Sequence, residues 1–106
     1  MIAISEKDWR VFRALREQAL ERFLGRVLDE AGRISTGLSG SAQERYQHLY
    51  RFIQDRDREL ASAFDEPRRS NAIAQIVALV HLGLLSPEEL ERFSEEVRKI
   101  VDRVRH

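Results

Sequence analysis

The stretch AIAQIVALVHLGLL, residues 72 to 85, decides the fold, because its apolar side chains run nearly all the way round a helix, interrupted by Gln75 and His81. A helix on a protein surface shows an apolar stripe of limited width, whereas one apolar on most sides needs cover from several neighbours. The segment is also too short for a bilayer, which takes about 20 apolar residues. It belongs at the centre of a helical assembly, with Ile73, Ile76, Val77, Leu79, Val80 and Leu84 as expected interior positions, each worth about 1.5 to 3 kcal/mol on full burial.

Downstream, Gly83 is a natural helix stop. Ser86, Pro87 and Glu89 then combine a cap, a first-turn proline and a capping-box acid. Leu90, Phe93, Val97, Ile100 or Val101, and Val104 continue as one stripe, which predicts an unbroken fourth helix. Upstream, Asp65, Glu66 and Pro67 form a turn, so the third helix starts at 67 or 71 and runs to about 82. Ser41 and Glu44 open a second helix on which Tyr46, Leu49, Tyr50, Ile53, Leu60 and Phe64 recur at helical spacing. Within QDRDRE, residues 54 to 59, that geometry turns either Arg56 or Asp57 inward.

The segment STGLSGS, residues 35 to 41, reads as a flexible connection. Before it, Ser5 and Asp8 approximate a cap, and Phe12, Leu15, Ala19, Phe23, Val27 and Ala31 predict a first helix over about 6 to 33. Leu20, Leu24 and Leu28 widen its apolar face enough for two neighbours. Gly25 lowers helix propensity by roughly 1 kcal/mol, and is either room for a close crossing or a tolerated weakness.

The expected fold is all-α: a single domain over 1–106, a four-helix bundle-like arrangement with a long N-terminal helix and a central apolar third helix. At 106 residues, the chain is near the lower size for a self-sufficient core. Surplus apolar surface on the first and third helices therefore predicts a homodimer. Phe12, Phe23, Ile73, Ile76, Val80, Leu84, Phe93 and Val97 are the candidate core or interface residues.

The 18 basic and 18 acidic residues cancel, which removes the simplest electrostatic case for nucleic acid or an anionic membrane. All basic residues except Lys7 and Lys99 are Arg, a bias that fits genome composition or recognition of planar anions. With no cysteine, disulfides and thiolate chemistry are excluded, and the expected compartment is the cytoplasm. The start MIAISEKDW lacks the basic and long apolar regions of a secretion signal.

His48, His81 and His106 stand in no metal-ligand pattern, and neither a metal nor a cofactor is expected. Asp55, Asp57 and Glu59 alternate with Arg56 and Arg58, which on a helix scatters the acids instead of pairing them for catalysis. Arg56, Asp57 and His81 are candidate buried polar groups. Arg68, Arg69 and Asn71 are candidate anion or partner contacts, because positive charge at a helix start opposes the dipole unless an anion or a local acid offsets it. As a DNA reader the fourth helix is disfavoured, since PEELERFSEE presents acids to phosphate.

These residues point to a noncatalytic protein-interaction or regulatory protein, a helical homodimer that recognises another protein. The alternatives are a nucleic-acid-associated regulator using the local Arg patches, and a small enzyme with a polar pocket involving His81.

Overall fold

α1 (Glu6–Thr36) sets the length of the molecule: its 31 residues measure about 46 Å at 1.5 Å per residue, against a long axis of 52 Å. The computed structural model describes residues 4–37 and 39–105. α1 starts where the Ser5 hydroxyl accepts the Asp8 N–H. It runs past the predicted end at 33 to Thr36, and in this last turn the Ser35 and Thr36 hydroxyls donate back to the Gly32 carbonyl at 3.1 and 2.7 Å. The connection to α2 (Ala42–Phe64) thereby shortens to residues 37–41. Ser41 and Glu44 form the full capping box at its start.

α1 and α2 pack as an antiparallel hairpin, and the rest of the chain covers one end of it. α3 (Ala72–His81) touches α1, α2 and α5 and so takes the central place its composition requires. Of its two expected starts the later one holds. Asn71 does not cap the helix; its side chain folds over the preceding turn, accepting from the Arg68 N–H at 2.8 Å and donating to the Glu66 carbonyl at 3.1 Å. Gly83 ends α3 at φ 68°, with its N–H on the Val80 carbonyl and the Leu84 N–H on the Leu79 carbonyl. That paired closure needs a left-handed residue, which favours glycine.

The expected single fourth helix is two. α4 (Pro87–Leu90) is one turn with its own capping box, and α5 (Glu95–Arg105) begins afresh after Ser94. The break has a physical cause in a buried carboxylate: Asp8 of α1 accepts the Ser94 N–H at 2.7 Å and the Ser94 hydroxyl at 2.6 Å. These bonds hold Ser94 as the start of a new helix, its hydroxyl in turn accepting the Val97 N–H at 3.4 Å.

One core gathers at the covered end. Phe12, Leu15, Ala19 and Phe23 of α1 meet Ala63 and Phe64 of α2, Ala72, Ile76 and Leu79 of α3, and Leu84, Leu90, Phe93, Val97 and Val101 beyond. Six of the eight candidate core residues are buried there. Ile73 and Val80 are the exceptions, both half-exposed, because α3 turns Ala72, Gln75, Ile76 and Leu79 inward and leaves these two on its flank. Gln75 is buried within this apolar helix because its amide donates to the Asp65 carbonyl at 3.0 Å.

Candidate interaction surface

The molecule divides into a filled cap and a two-helix arm. Arginines of α1 fasten the cap to one side of the hairpin. Arg22 donates to both carboxylate oxygens of Glu89, at 2.6 and 3.0 Å, and to the Leu84 carbonyl at 2.8 Å. Arg26, one turn further on, donates to the carbonyls of Leu82 and Gly83. Both thus place positive charge on the carbonyl end of α3, where the helix dipole favours it. The Arg22 hydrogen bonds, aided by the Ser86 backbone and hydroxyl, outweigh the effect of burial and hold the Glu89 carboxyl at about 2. Burial on its own raises Asp8, but the hydrogen bonds from Ser94 and Ser5 and the charge of Lys7 prevail and hold it below the usual carboxylate value.

The same side of the hairpin carries a cleft of about 360 Å³ in which Arg26, Glu30 and Arg33 of α1 face Phe52, Arg56 and Glu59 of α2. Arg56 is the inward-turned charge that the helical spacing requires. Its guanidinium lies 5.2 Å from the Phe52 ring centre and pairs with Glu59 at 2.9 Å. Asp57, the other option, is exposed. Nearer the tip, a wider opening of about 740 Å³ is lined by Arg33, Arg45, His48 and Arg51 together with Glu30 and Glu44. Much of that charge is already matched: Arg33 pairs with Glu30, and Arg45 donates to the Gly37 carbonyl.

Successive helical positions turn by about 100°, so the residues opposite this polar side are fixed. They are Leu24, Leu28 and Ala31 on α1, and Tyr46, Tyr50 and Ile53 on α2. Leu28 lies eight residues before the end of α1 and Tyr50 eight after the start of α2, which sets them at matching heights. Four of these side chains stand in water, with Leu24 38%, Leu28 71%, Tyr46 68% and Tyr50 56% exposed. Between Leu24 and Ile53, Ile34 is the buried hydrophobic among the described residues. The arm therefore has an apolar face with nothing over it among the described residues.

The remaining candidates do not converge. Arg69 pairs with Glu6 and lies 5.8 Å from the Trp9 ring centre, while Arg68 reaches Glu66 at 3.9 Å and Asn71 is spent on its own turn. Local acids and Trp9 thus occupy the cluster read as an anion contact. His81 is exposed and not buried, since it lies on the outward sector of α3 seven residues from the exposed Ala74. Neither His81 nor Asp57 lines the two clefts of the arm. No group of three His, Cys, Asp or Glu residues that could hold a metal ion occurs among the described residues, and none of their helices is long and apolar enough to cross a membrane.

Two functional arrangements escape sequence reasoning. Arg22 and Arg26 sit four apart, a like-charged pair that repels on an isolated helix and so signals acceptors elsewhere. Ser94 followed by Glu95 and Glu96 is a second helix start hidden inside an unbroken apolar stripe. Comparison with protein-family models, with curated proteins and with solved structures finds no match.

Proposed function

We propose that this chain is a noncatalytic interaction protein that works as a homodimer and recognises another protein. The observation that carries the reading is the contrast within the hairpin, whose cap end is filled while Leu24, Leu28, Tyr46 and Tyr50 at the arm end remain in water. Exposed apolar patches of several hundred Å² mark interaction sites in small proteins. Homodimerisation covers the surplus, and it leaves the polar side of the arm, with the arginine-lined opening at its tip, for a partner.

The apolar pattern of the sequence offers the first and third helices for the dimer contact. Ile76 and Leu84 are spent inside the chain, which shifts the weight of the apolar surplus to the arm. Binding of nucleic acid through Arg68 and Arg69 loses support, since both have acids beside them. Light scattering across a concentration series, with nucleic acid monitored by absorbance ratio, tests the reading. A nucleic-acid-free dimer is expected. A monomer at all concentrations, or salt-sensitive nucleic-acid binding lost in the double variant Arg68→Ala, Arg69→Ala, overturns it.

A further inference from the structure

We infer that the uncovered face of the α1–α2 arm docks against the same face of a second copy of this chain, the two hairpins closing into a four-helix bundle. The inference rests on the homodimer reading and names the surface that forms the contact.

Charge distribution is the first argument. The chain is 34% Asp, Glu, Lys and Arg, yet the helical sector that holds Leu24, Leu28 and Ala31 continues to Ser35 without a charge. On α2 the corresponding sector runs from Gln43 through Tyr46, Tyr50 and Ile53 to Gln54, again uncharged. The nearest charges on these two sectors, Glu21 and Asp57, stand at the cap end of the patch, while Arg26, Glu30, Arg33 and Arg56 line the cleft on the opposite side. A two-fold contact sets a patch against itself, so an isolated charge near the axis meets its own like. An uncharged patch is free of that repulsion and suits a second copy of itself.

The glycines supply an independent argument. Gly25 and Gly32 lie within α1, where each costs about 1 kcal/mol relative to alanine. Neither has a positive φ, and a Cβ added at either would meet nothing within 4 Å. Backbone conformation and packing within the chain therefore require neither. They stand seven residues apart on the rim beside Leu28, where the absence of a side chain allows another backbone to approach closely.

Size is consistent with one occupant of this kind. The four exposed side chains present on the order of 500 Å², more than half of the roughly 800 Å² that each partner gives to a stable interface. The half-buried Ala31 and Ile53 beside them extend the area.

Sedimentation equilibrium of the full chain and three variants tests the assignment. Wild type should be a dimer. Leu28→Arg brings two like charges into the contact and should weaken the dimer on the order of 100-fold, with an unchanged circular dichroism spectrum and melt at dilution because Leu28 touches little in its own chain. Gly25→Ala should raise the melting temperature of the dilute chain yet loosen the dimer. A dimer indifferent to Leu28→Arg and broken by Val80→Glu overturns the assignment and leaves the homodimer reading standing, with α3 as its contact. A wild-type monomer overturns both.

Discussion

The two ends of the α1–α2 hairpin are built from similar helix but finished differently. At the cap end Phe12, Leu15, Ile76, Leu79 and Leu84 are almost wholly buried, and Arg16, Arg22 and Arg26 each reach a backbone carbonyl outside α1. At the arm end Ile34 is the one buried hydrophobic among the described residues, and Leu24, Leu28, Tyr46 and Tyr50 meet water. The cap satisfies itself within one chain. The arm has helical order without an enclosed core, and most helical stability in proteins comes from packing an apolar face, which gives it reason to seek a second surface.

The contrast breaks most severely at Leu79. Leu79→Ala removes a fully buried side chain from the cap and should cost about 2 to 5 kcal/mol in urea denaturation. Asp8→Ala should cost about 1 to 3 kcal/mol by stranding the Ser94 N–H and hydroxyl. In that variant, amides of residues 94 to 97 should lose hydrogen-exchange protection before those of α3.

Acid acts on the cap through Glu89 and Asp8. Both carboxyls are lowered in the folded chain, so their contribution is complete above their ordinary values, 4.5 for Glu89, and is lost as pH falls, for Glu89 towards about 2. The urea midpoint should fall between pH 5 and about pH 2 in the wild type, and Glu89→Gln should flatten that decline. The smallest effect belongs to the arm: Leu28→Ser should alter the stability of the dilute chain by less than about 0.5 kcal/mol.

The pattern of apolar residues made much of the cap legible. The run from 72 to 85 predicts a central helix, and α3 is central because Ile76 and Leu79 turn into the core. Ser41 with Glu44, Ser86 with Glu89, and Gly83 mark boundaries by local chemistry, which needs no knowledge of the fold. The break at Ser94 is different. Its cause is Asp8, 86 residues away in sequence, and a stripe through Phe93 and Val97 stays in phase across the interruption. His81, expected to be buried, is exposed for a related reason: a helix apolar on nearly every side does not announce which sector faces in.

The arm face was half legible. Leu20, Leu24 and Leu28 stand out as a second apolar edge on α1, and Tyr46 and Tyr50 share a face of α2. That the two edges lie on the same side of the hairpin depends on which side the cap occupies, and Arg22 and Arg26 fix that side through contacts more than 50 residues distant in sequence.

Hydrogen exchange followed across a protein concentration series tests most directly whether the arm, unlike the cap, completes itself in a second copy. Protection of amides in residues 24 to 36 and 42 to 54 should rise with concentration, while α3 and the adjoining part of α1 stay equally protected throughout. Protection of the arm that does not change with concentration and equals that of the cap would contradict the account.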